Sequence, residues 1–225
     1  MASLINGLIN ILKYPIAILM SILTYKLAII LMDLVIYILK YHHFYRYLIY
    51  GFDIYIVLWL FIFSRKEGDW FLTLEHELTH TIFAILTFHG ILKLEVTKHQ
   101  GGLVQFDKST GNWLVYIAPY FFPTFSMIII ILIYISNSQY YPILTTILGY
   151  SIMYHIHSTI KETKPYQPDL QAVGFPFAIM FLPGANLLAL IWVLSAIPDD
   201  KIYFSHILSY LYDYLNYLYE YVKYL

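Results

Sequence analysis

Phe71-Leu72-Thr73-Leu74-Glu75-His76-Glu77-Leu78-Thr79-His80-Thr81-Ile82-Phe83-Ala84 is the stretch on which the reading of this chain turns. Its flanks are apolar enough for a membrane helix, yet positions 75–80 hold two carboxylates and two imidazoles. An acidic or basic side chain at the centre of a spanning helix costs about 2.5–3.5 kcal/mol, so such a cluster marks a site. A polar cluster that merely glues helices together does not require the spacing found here. His76 and His80 stand at i and i+4, on one helix face a turn apart, where both imidazoles can grip a single ion. Glu77 lies beside them, within reach of a metal-bound water whose pKa zinc lowers toward neutrality. It can take a proton during attack on a carbonyl and hand it to the leaving amine. This is the histidine-glutamate-x-x-histidine pattern of zinc peptidases. Glu75 points to another helix face and is expected to close a polar network or face water.

The rest of the chain supports a membrane setting. Of 225 residues, 60% are hydrophobic and 12% charged, about half the charged share of ordinary soluble domains. The mean hydropathy is +0.66. A formal net charge of −1 offers no basic signature for nucleic acid, and the absence of cysteine leaves His, Asp and Glu as metal ligands. The 24 tyrosines suit membrane interfaces. The fold class expected is an all-α polytopic membrane protein with about six transmembrane helices, at ~20 apolar residues per crossing.

Leu4 to Leu39 reads as an interfacial helix followed by a span from about Ile16. Further spans are expected over Tyr47–Phe63, from Trp70 onward, Trp113–Ile135, Tyr141–His157 and Leu170–Ile197, with Asp69 as an N-cap. Pro183-Gly184 is expected to break the last of these near its middle. Between the third and fourth spans, Leu92, Leu94 and Val96 alternate with Lys93, Glu95 and Thr97. That alternation predicts a short β-hairpin around a turn at Gly101-Gly102. The tail, 203–225, has apolar and polar stripes at helical spacing and reads as an amphipathic interfacial helix. One protease-like domain is expected over 1–225: amino-terminal helices in 1–69, a core in 70–198 and the tail in 202–225. Lys40, Arg46, Lys93, Lys98, Lys108, Lys161 and Lys164 fall on one side of the six-span arrangement, which positive-inside logic makes cytoplasmic.

A catalytic zinc commonly takes three protein ligands and keeps one position open. The first choice for the third is Asp169, in Gln167-Pro168-Asp169-Leu170, where Pro168 suits the first turn of a helix. A lone aspartate there can equally cap a helix. His89, His99, His155, His157 and Glu162 are the rival ligands. His99, His155, His157, Glu162 and Asn112 are also candidates for orienting ligands or substrate.

With these residues in view, the chain resembles the site-2 protease family of intramembrane zinc metalloproteases. The likeness rests on His76-Glu77-Leu78-Thr79-His80 in a spanning helix, the strand-like stretch Leu92–Phe106 and Pro168-Asp169, and it covers about Trp70 to Asn186. The aspartate segment differs from the family's usual Asn-Pro-Asp-Gly, and no peptide-binding module is inserted. The resemblance implies one Zn2+ ion held by His76, His80 and Asp169, water activated by Glu77, and a strand segment that receives extended substrate by edge pairing. It implies a transmembrane protein or peptide substrate, the lipid bilayer as surroundings, no nucleic acid, and a prokaryotic cytoplasmic membrane with the active site nearer the cytoplasm. The competing reading is a non-proteolytic membrane metal-binding protein or metal transporter; no clear internal repeat supports it. An inactive relative that only binds helices is disfavoured by the intact Glu77.

Overall fold

A computed structural model of the protein describes residues 2–62, 70–97, 101–106 and 112–197, together with 212, 216 and 220. The expectations for Asp69, His99 and nearly all of the tail fall outside these residues. The described part is helical apart from one hairpin. Its elements are α1 (Ala2–Ile11), α2 (Lys13–Lys40), α3 (Arg46–Phe61), α4 (Trp70–Leu86), β1 (Ile91–Thr97), β2 (Gly101–Phe106), α5 (Trp113–Ile117), α6 (Thr124–Ile135), α7 (Tyr141–Glu162), α8 (Pro168–Val173) and α9 (Phe175–Ser195).

The expectation of six spans is met only in part. Among the described residues, α2 and α9 are long and apolar enough to cross a membrane alone. The expected span over 113–135 is a bent pair: α5 runs into a 3-10 turn at Ala118–Tyr120, and α6 leaves at 79° to it. Pro119 and Pro123 lack the N–H that would carry one helix through this corner. The expected span over 170–197 is also divided, but at Gly174 rather than at Pro183-Gly184. Gly174 has φ +89, a left-handed conformation open to glycine, and separates α8 from α9. Pro183 stays inside α9. Gly184 serves close packing instead: a Cβ there would sit 2.6 Å from the Met20 carbonyl of α2.

Helix pairing sets the frame: α2 packs along α9 and α3 along α7. In the second pair Gly51 and Gly149 meet face to face, and a Cβ on Gly149 would lie 2.1 Å from the Leu48 carbonyl. Small residues let two backbones approach where lipid provides no hydrophobic drive. Trp113, Ile117, Tyr120, Leu170, Phe177 and Phe181 form a buried apolar cluster joining α5, the 3-10 turn, α8 and α9.

The hairpin is present and antiparallel, and it packs against α4. Its diglycine is not the turn. Gly101 and Gly102 are the first residues of β2 and pair with Thr97 and Val96. A register irregularity between Ile91 and Lys93 marks where β1 leaves the helical region.

Candidate metal centre

α4 presents His76 and His80 on one face, with ring centroids 4.7 Å apart. Asp169 reaches them from the first turn of α8, where Pro168 occupies the start of the helix as the sequence suggests. Its Oδ2 lies 3.2 Å from His76 Nε2 and 3.3 Å from His80 Nε2. One ligand atom from each of the three residues falls within 4.8 Å of the others.

The outer nitrogens explain why the inner ones converge. His80 Nδ1 lies 2.8 Å from the Val115 carbonyl, which can only accept, so Nδ1 carries the proton. His76 Nδ1 lies 3.1 Å from Glu162 Oε2 and donates to that carboxylate. Neutral imidazoles held this way turn both Nε2 lone pairs toward Asp169. Asp169 adds a carboxylate oxygen at the same point. Three lone pairs aimed at one point repel one another unless a cation lies among them. The spacing suits zinc as well. Donor atoms ~2.0–2.1 Å from a tetrahedral ion stand about 3.3 Å apart. Two imidazoles and a carboxylate are a donor set that zinc accepts, and the residues present fit it.

Around this triad the polar groups of α4 are tied to its neighbours. Glu75, buried, accepts from the Phe125 amide at the start of α6, 3.3 Å from its Oε1. Thr79 Oγ1 donates to the Glu75 carbonyl at 2.8 Å and meets Thr124 Oγ1. Tyr120 donates its hydroxyl to Asp169 Oδ2 at 3.4 Å and sets its ring edge-on to His76, centroids 5.3 Å apart. Glu77 differs. Its carboxylate lies within electrostatic reach of His76, His80 and Asp169, yet no hydrogen bond to it comes from any described side chain or amide.

The family profile described as Peptidase M50B-like matches residues 53–197. The chain belongs to that family. Peptidase M50B proteins are site-2 proteases, intramembrane metalloproteases that depend on zinc. The matched residues contain α4, the hairpin, the bent pair and Asp169. No curated protein and no solved structure matches the chain.

The other predicted site residues lie in different places. Glu162 joins the triad as the partner of His76. His157 Nδ1 meets the Tyr55 hydroxyl at 2.7 Å, and its ring stands against Trp59. His155 is buried in α7. His89 bonds Thr87 and Asn6. Asn112 caps α5, its Oδ1 accepting from the Leu114 and Val115 amides at 3.1 Å each. Sequence reasoning missed Val115, which acts through its carbonyl and leaves no side-chain signal. It also missed Tyr120, one of 24 tyrosines, whose only distinguishing mark is its place after Ala118-Pro119.

Proposed function

We propose that the protein is an intramembrane zinc metalloprotease that hydrolyses peptide bonds of membrane-embedded or membrane-adjacent substrates. His76, His80 and Asp169 would hold the ion, with Glu162 and the Val115 carbonyl fixing the two imidazoles. Zinc bound there supplies a Lewis acid that lowers the pKa of water and polarises a carbonyl. Glu77 takes the proton of the attacking water and returns it to the leaving amine. The observation that carries the reading is the contrast around α4: among the described residues, three carboxylates are engaged by the scaffold, and the one in the motif accepts no hydrogen bond and can serve proton transfer. The hairpin against α4 has two outer strand edges, and either can pair with a substrate segment that has unwound from helix to strand.

Glu77→Gln tests this. In proteoliposomes with a labelled single-span substrate, the variant should lose about 10²–10⁴-fold in cleavage rate and keep its zinc. Cleavage at the parental rate would exclude Glu77 as the base.

A further inference from the structure

The residues matched by the family begin at 53, so α1 lies outside them. Its surface is the reverse of a soluble amphipathic helix. Leu4, Leu8 and Ile11 are exposed, and the buried residue is Asn6. An amide buried beside lipid must find partners, and Asn6 reaches side chains from two separate segments of the chain. Its Oδ1 accepts from Asn112 Nδ2 at 2.9 Å, and its Nδ2 lies 3.1 Å from His89 Nε2. Trp113 donates its indole N–H to the Ile9 carbonyl at 2.6 Å, a second tie between α1 and α5.

The direction of every proton in this chain follows from one end. Asn112 Oδ1 is committed to two backbone amides, so its other atom is the NH2 and donates. Asn6 must then present its oxygen to Asn112 and its NH2 to His89. His89 Nε2 accepts, so the ring is neutral with its proton on Nδ1. That proton goes to Thr87 Oγ1 at 2.8 Å, and the Thr87 hydroxyl donates to the Phe83 carbonyl at 2.7 Å. The relay runs without a mismatch from the first amides of α5 to a carbonyl near the end of α4.

Its ends decide its purpose. His89 stands two residues before β1, and Asn112 caps α5, so Asn6 ties the segment that enters the hairpin to the start of α5. The helix that Asn112 caps carries Val115, whose carbonyl holds His80 Nδ1. We propose that Asn6 is a positioning residue of the metal centre, acting through Asn112 and the α5 cap on Val115 and His80, and that α1 is part of the active-site scaffold. The inference rests on the metal site proposed above.

The test uses the full-length protein in detergent with 15N-labelled histidine. In the parent without metal, His89 should give the neutral Nδ1–H signature. Asn6→Leu should weaken zinc, measured against a competing chelator, by about tenfold, the lower end for groups that orient a ligand through another, and should lower kcat more than it raises KM. Asn6→Asp still accepts from Asn112 but offers His89 only an oxygen. It should move the His89 proton to Nε2 while keeping zinc affinity closer to the parent than Asn6→Leu does. Zinc affinity within twofold of the parent in a folded Asn6→Leu protein overturns the proposal, as does a parent His89 already protonated on Nε2. If Asn6→Leu does not fold, the His89 signal of parent and Asn6→Asp decides alone. Absence of cleavage in the parent would count against the proteolytic reading and leave these two measurements standing.

Discussion

Glu162 supplies the sharpest measurement of how the scaffold tunes the metal centre. Its Oε2 accepts from His76 Nδ1 at 3.1 Å, and its side chain is 21% exposed, so the contact is shielded from most solvent screening. A hydrogen bond to a charged group in such a place is worth about 1.5–3 kcal/mol, against about 0.5–1.5 kcal/mol for a neutral one. Glu162→Gln keeps an acceptor and loses the charge, a difference of about 1 kcal/mol, or roughly fivefold in zinc affinity at 1.36 kcal/mol per tenfold. Glu162→Leu removes the acceptor as well. The His76 ring is then free to rotate or to change tautomer, and affinity should fall about 10–100-fold, as for other groups that orient histidine ligands. The assay is chelator competition on purified protein in detergent, with X-ray absorption to verify that the donor set is unchanged. The order parent, Gln, Leu is the essential result. A Leu variant that binds as tightly as the parent would show that His76 needs no orientation from α7. A Gln variant weaker than Leu would show that the Glu162 contribution is not the hydrogen bond described here.

Two other substitutions probe the frame and the third ligand. Asp169→Ala should weaken zinc by more than the roughly 100-fold upper range for an orienting group, with the carboxylate oxygen missing from the X-ray absorption spectrum; unchanged affinity and spectrum would assign the third ligand elsewhere. Gly149→Ala places a methyl 2.1 Å from the Leu48 carbonyl, an overpacking of backbone against backbone that should cost about 1–3 kcal/mol or more and lower the melting temperature in detergent, whereas an unshifted melt would contradict the close contact of α3 and α7.

What was legible in the sequence was local. His76, Glu77 and His80 lie within about one turn, so their geometry follows from helix formation alone. Asp169 is distant, but Pro168 marks a helix start and an acidic residue just inside it, which leaves few positions for its carboxylate. The division of the amino-terminal region into a short helix and a long apolar one is also present, as α1 and α2. Errors arose where one residue type serves two physical ends. Proline and glycine at 183–184 resemble a helix break, but the deciding fact is the α2 backbone passing over Gly184, which no local pattern records. Gly101-Gly102 resembles a turn, but register is set by pairing with Val96 and Thr97. The Val115 carbonyl and the Asn6 relay arise from tertiary approach and carry no motif.

The distribution of partners among the carboxylates adds a constraint that sequence spacing cannot provide. Glu75, Glu162 and Asp169 each accept from the protein itself: a backbone amide, an imidazole and a tyrosine hydroxyl. Removing any one leaves a buried donor without its acceptor, a loss of about 1–3 kcal/mol in addition to any loss of function. Glu77 accepts no hydrogen bond from a described residue, so Glu77→Gln strands no donor among the described residues. An intramembrane carboxylate without a structural partner among the described residues has its use in what it does to a proton. Stability and activity should therefore separate at this position and fall together at the other three, which distinguishes a catalytic base from carboxylates that also hold the scaffold.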